Sequence, residues 1–134
     1  MNDTPKVFFY VQHLLGIGHL ARSSHIGQAL AKKGFSVTMV TGGVPVPGFP
    51  PASLPQIALP PVTAIDQNFS GLIDQDGEPV GEGFRLRRIE ALLAALQAVQ
   101  PDIVVIEAFP FGRRQMRFEL LPLVEAAGTM RPKP

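Results

Sequence analysis

The chain opens on a short apolar run, Val7-Phe8-Phe9-Tyr10-Val11, rich in β-branched and aromatic side chains and without polar alternation. That pattern marks a strand buried on both faces of a parallel sheet. A loop containing Gly16 and Gly18 follows. Over residues 20–33, Ser23, Ile26, Gly27, Leu30 and Ala31 recur at helical spacing. Lys32 and Lys33 place positive charge in the last turn, and Gly34 supplies the residue that ends helices most readily. Residues 35–41 then read as a second strand, so residues 6–41 make one βαβ unit.

Residues 42–61 are thick with Pro and Gly, which excludes helix and leaves one short strand near residues 56–59. Residues 61–83 show no sustained period and are expected to form a long surface loop. A helical stripe returns over residues 84–100 through Ile89, Leu92, Leu93, Leu96 and Val99, and Pro101 ends it. Residues 102–107 form another buried strand with the carboxylate of Glu107 at its carboxyl end. A last helix is expected over residues 114–127, closing at Gly128, with Pro122 imposing a kink or a fresh start. Strands alternating with helices predict a Rossmann-like, doubly wound parallel sheet with a right-handed crossover. After Gly128 the alternation calls for another strand, so residues 1–134 are expected to be one domain lacking its last strands. The strand at residues 103–106 would then offer an open edge and a route to a homodimer.

Composition narrows the class. A hydrophobic share of 46% against 17% charge belongs to a chain with a packed core. A net charge of +1 gives no electrostatic footprint for nucleic acid. The absence of cysteine excludes disulfides and thiolate metal sites and fits a cytoplasmic protein. The first apolar run is broken by Gln12 and His13 and follows a polar start, which excludes a secretory signal. No run approaches the ~20 apolar residues needed to span a bilayer.

The segment with chemistry is His13-Leu14-Leu15-Gly16-Ile17-Gly18-His19-Leu20-Ala21-Arg22-Ser23. Glycines let a backbone approach a ligand, and the helix behind them offers unpaired N–H groups to an anion or a developing oxyanion. In open α/β sheets ligands sit beyond the carboxyl ends of the strands, where this loop lies. A dinucleotide site is disfavoured: the second strand ends at Thr41-Gly42-Gly43 with no acid for a ribose, and the glycines start well after the apolar run. His19 stands at the helix N-terminus, where the dipole favours the neutral, proton-accepting imidazole. Its plain alternative is a polar cap. His13 and His25, six residues to either side, lack the i,i+4 spacing of a two-histidine metal site, so no metal is expected.

The run GIGHLARSSHIGQALAKKGFSVTMVTGG resembles the opening of the N-terminal domain of GT-B glycosyltransferases of the type that includes the N-acetylglucosaminyltransferase making lipid II. The Gly-x-Gly-His loop followed by Arg is matched by Gly16, Gly18, His19 and Arg22. The stretch from Glu107 through Arg113-Arg114 to Pro122 resembles a bacterial branch of predicted glycosyltransferases. The resemblance implies the acceptor-side half of a two-domain enzyme whose missing C-terminal half binds the donor nucleotide sugar. It further implies metal-independent transfer, no cofactor, a sugar or lipid acceptor, a cytoplasmic or membrane-peripheral location, and little activity from this half alone. His19 would be the general base, since an attacking hydroxyl must lose its proton. Hydrolysis of a nucleotide sugar by the same base, and a non-catalytic subunit of a split enzyme, are the alternatives.

Around the base, the acceptor is expected to meet residues 13–22, 41–43 and 107–111, with Gly16, Gly18, Arg22, Gly42, Gly43 and Glu107 in contact and residues 44–55 as a wall. Glu107 would orient His19 or bind acceptor hydroxyls, or else cap the next turn. Arg113, Arg114 and Arg117, with Glu119 as a carboxylate partner, and Arg85, Arg87 and Arg88 read as solvated helical faces. Asp74-Gln75-Asp76-Gly77 spells an Asp-x-Asp but reads as a turn.

Overall fold

The computed structural model describes residues 4–65, 71–107 and 114–134. The expected βαβ unit is present as β1 (Lys6–Val11), α1 (Gly18–Lys32) and β2 (Ser36–Thr41). Gly34 ends α1 at φ 99°. Its N–H donates to the Ala31 carbonyl and the Phe35 N–H to the Leu30 carbonyl, each at 3.1 Å. These paired bonds satisfy carbonyls that a helix end otherwise leaves open.

The chain continues through β3 (Gln56–Ala58), β4 (Val62–Ala64), β5 (Leu72–Asp74), α2 (Glu82–Val99) and β6 (Ile103–Ile106). A 3₁₀ turn (Arg114–Met116) leads into α3 (Arg117–Thr129). One parallel sheet has the order β3-β2-β1-β6, with Lys6 to Val11 in register with Ser36 to Thr41. Side chains alternate across β1. Val7, Phe9 and Val11 pack with Leu20, Val37, Met39 and Leu54 on the α1 side. Phe8 and Tyr10 pack with Leu92, Leu96, Leu120 and Leu123 on the face covered by α2 and α3. Helices on both faces of a parallel sheet make a Rossmann-like α/β fold. Each large side chain withdrawn this way contributes about 1.5–3 kcal/mol. α1 lies close on β2 because Gly27 has no side chain: a Cβ there would stand 2.9 Å from Met39 Sδ.

Three expectations are corrected. Residues 61–83 are not featureless, because β4 and β5 pair antiparallel, Val62 opposite Asp74, and bury Val62, Ala64 and Leu72. Three-residue strands carry no readable period. Ile26 is not on the buried stripe of α1 but is 45% exposed, while Leu20 and Ser24 take the inner positions. α3 runs through Pro122 as one helix, so of the two outcomes expected there the fresh start is ruled out, and it ends one residue past Gly128. Among the described residues no strand pairs with the outer edge of β6, and no helix is long and apolar enough to cross a membrane.

Candidate functional site

The loop between β1 and α1 leaves the carboxyl end of the central strand, with β2 on one side and β6 on the other. Gly16 and Gly18 have no positive φ, and a Cβ at either would meet nothing within 4 Å. Neither backbone conformation nor packing within the chain therefore demands glycine at these two positions. α1 starts on an Ile17 N-cap that gives no side-chain hydrogen bond, and its first turn holds no acid. The positive end of the helix is left for water or an incoming anion.

His19, the second residue of α1, reaches across to the residue that follows β6. Its Nδ1 lies 2.8 Å from Glu107 Oε1. The imidazole is 45% exposed while the carboxylate is only 12% exposed. A carboxylate only accepts, so Nδ1 carries the hydrogen and donates it, which leaves the Nε2 lone pair as proton acceptor. Arg22 Nη2 stands 3.2 Å from Nδ1 and 3.5 Å from the same Glu107 oxygen. With Nδ1 protonated, the carboxylate is the group that attracts this guanidinium. Glu107 is anchored through its backbone, whose N–H donates to the Tyr10 carbonyl at 3.2 Å. His19, Arg22 and Glu107, distant in sequence, thus converge at one sheet end.

On the β2 side of the loop lies a cavity of about 160 Å³ whose lining includes His13, Leu20, Thr41 and Gly43. Leu20 follows His19 directly, so the first turn of α1 faces both the dyad and the cavity. His13 is buried against Gly43, where any Cβ would overlap the imidazole ring. Gly42 is placed differently from the expectation. It is buried and faces inward, where a Cβ would stand 2.6 Å from Arg88 Nη2. Its carbonyl accepts from Val62 N–H at 3.0 Å and from Arg88 Nη1 at 2.9 Å. Gly42 serves the interior, and Gly43 lines the cavity.

The reading of Arg88 as part of a solvated face is overturned. Arg88 and Glu119 are both 0% exposed. Arg88 Nε donates to Glu119 Oε1 at 2.8 Å and Nη2 to Oε2 at 2.9 Å. Nη1 also donates to the Pro60 carbonyl at 2.6 Å, and Nη2 to Gln12 Oε1 at 2.7 Å. Tyr10 donates its hydroxyl to Glu119 Oε2 at 2.9 Å, and Gln12 Nε2 donates to the His13 carbonyl at 2.8 Å. All five guanidinium N–H groups are accounted for. The signal was helical spacing: Arg88 precedes Leu92 by four residues on the inner face of α2, as Glu119 precedes Leu123 on α3. Glu119 is thus the partner of Arg88.

The Asp-x-Asp is a turn. Asp74 Oδ1 accepts from the N–H groups of Asp76 at 2.8 Å and Glu78 at 3.0 Å, and Gly77 has φ 79°. Residues 108–111 of the expected acceptor contact, and Arg113, lie outside the described residues. Among the described residues no group of three His, Cys, Asp or Glu could hold a metal ion. No protein-family model matches the chain, and neither a curated protein nor a solved structure matches it.

Proposed function

We propose that this chain is the acceptor-side half of a metal-independent glycosyltransferase in which His19 is the general base. The observation that carries the reading is the exposed imidazole held through Nδ1 by the largely buried carboxylate of Glu107 at 2.8 Å. Such a dyad fixes one tautomer, aims Nε2 outward and stabilises the imidazolium that forms when it takes a proton. The Gly16–Gly18 loop, open to solvent on an uncapped helix end, supports it as a place for a polar or anionic group. The resemblance of residues 16–43 to GT-B glycosyltransferases supplies the reaction.

In that reaction the acceptor hydroxyl gives its proton to His19 Nε2 as its oxygen attacks the anomeric carbon of the donor sugar. The bond from that carbon to the diphosphate oxygen breaks, and the nucleoside diphosphate leaves with the electron pair. Water in place of the acceptor would give hydrolysis by the same residues, and product analysis separates the two. The assay is release of nucleoside diphosphate from a panel of nucleotide sugars, with a donor-binding half present in the same or a second polypeptide. His19→Ala lowers turnover by about 10²–10⁴ and lowers the urea midpoint only slightly, because the imidazole is 45% exposed and Arg22 stays beside Glu107. Equal turnover in the variant removes His19 from the base role.

A further inference from the structure

The cavity beside the glycine loop has a wall of unusual chemistry. From Gly34 to Ile65 the chain contains no Asp, Glu, Lys, Arg or His. This stretch supplies most of the lining, including Val46, Phe49, Ala58, Leu59 and Pro61, while His13, Thr41 and Gln56 are the polar side chains in it. The buried cation Arg88 touches the backbone of this stretch at Gly42 and Pro60, yet its five N–H groups are already used. Among the described residues no Asp, Glu, Lys or Arg lines the cavity.

Size sharpens this. About 160 Å³ is close to the roughly 150 Å³ cavity that holds a benzene molecule. It is far below the roughly 300–1,000 Å³ of sites for larger ligands, so a whole nucleotide sugar does not fit. Seven prolines between Pro45 and Pro61 restrict the wall, so little ordering is left to be done on binding. Leu15, Ile17, Val44 and Ile65, on the loops at this end of the sheet, are 39–52% exposed and extend the apolar surface beyond the cavity.

We propose that the cavity takes the uncharged, apolar end of the acceptor, a group of about one aromatic ring or one branched five-carbon unit, and excludes acceptors with a charge at that end. The assignment rests on the transferase reading for the word acceptor, and on the cavity alone for the chemistry of the bound group. A carboxylate or phosphate there would lose its water and gain no cation, a cost that a neutral ring does not meet. The hydroxyl of such an acceptor is at the end left outside the cavity, on the side where His19 precedes Leu20 in α1.

The test is a titration of the protein with p-cresol and, as the charged counterpart of similar shape, 4-hydroxybenzoate at neutral pH, followed by amide chemical shifts. p-Cresol moves the resonances of Gly43, Val46 and Ala58 and binds at least about tenfold more tightly than 4-hydroxybenzoate. Ala58→Trp, at an exposed lining position, fills the cavity and weakens p-cresol by tenfold or more while thermal unfolding is unchanged. Equal affinity for the two compounds, or an Ala58→Trp protein that binds p-cresol like the parent, overturns the assignment. His19→Ala binds p-cresol as the parent does, so a failure of the base assignment is read in turnover and a failure of the cavity assignment in binding.

Discussion

Replacing Arg88 by Met tests whether the buried network holds the fold together. The substitution keeps an unbranched apolar stem and deletes all five donors. It leaves the Glu119 carboxylate, 0% exposed, with a hydrogen bond from the Tyr10 hydroxyl but no facing positive charge from residue 88. It also removes the donors to the Pro60 carbonyl and Gln12 Oε1, while the Gly42 carbonyl keeps Val62 N–H. Removing one member of a buried ion pair costs about 3–5 kcal/mol, because an uncompensated charge stays inside. Against a total of about 5–15 kcal/mol for a domain, this is a large share. With a urea slope of about 2 kcal/mol per molar, a loss of 4 kcal/mol lowers the unfolding midpoint by roughly 2 M at unchanged slope. The pair Arg88→Met with Glu119→Leu removes both charges, and its midpoint lies above that of either single variant, since apolar residues of similar volume replace such pairs at little cost. A single-variant shift below about 0.5 M, or a double variant that is merely the sum of the two, refutes the argument.

Substitutions at four other positions probe the site and the sheet edge. Glu107→Ala lowers turnover by about 10², and Glu107→Gln restores part of it because an amide oxygen still accepts from Nδ1–H. Equal losses in the two would mean that holding the ring is not what Glu107 does. Gly16→Ala and Gly18→Ala leave stability within about 1 kcal/mol, since neither site needs glycine for φ or space, but they reduce turnover. Unchanged turnover would remove ligand approach as the reason for the glycines. The outer edge of β6 has no paired strand among the described residues, and its Ile103 is 39% exposed. Sedimentation velocity is therefore expected to show self-association at high concentration that Ile103→Lys abolishes, and a parent chain that stays monomeric would rule this out.

The parts of the fold legible in the sequence are those in which one period runs long enough to be seen. β1 is a continuous apolar run, β2 sets Val37, Met39 and Val40 among Ser and Thr, and α1 and α2 carry stripes that end on Gly34 and Pro101. The loop was legible from its glycines, and the partnership of His19 with Glu107 from the rule that strand ends converge at one edge of a parallel sheet. β4 and β5 were not, because three residues establish no alternation and the hairpin's place comes from contacts to Leu14 and Gly42. Thr63 donates its hydroxyl to the Leu14 carbonyl, and Val62 N–H reaches Gly42. Arg88 was misread because charge was weighed before position. Its helical spacing places it inside, and only the acid four residues before Leu123 on another helix makes that tolerable.

That buried pair also explains how the cavity wall can be both uncharged and well placed. A segment with neither charges nor regular structure over most of its length has few means of fixing itself. Here its two ends are tied to one guanidinium, Gly42 at 2.9 Å and Pro60 at 2.6 Å, while the same group holds Gln12, whose amide in turn holds the His13 carbonyl. The charge that positions the wall is neutralised by Glu119 on the α2–α3 side of the sheet, out of reach of the cavity it supports. Polar specificity is thereby spent inside the domain and the surface offered to a ligand stays apolar. The dyad of His19 and Glu107, on the opposite flank of the same loop, shares the first turn of α1 with the cavity but takes its carboxylate from the end of β6 and none of its partners from the wall. The two halves of the site can therefore be impaired separately, cavity without base and base without cavity.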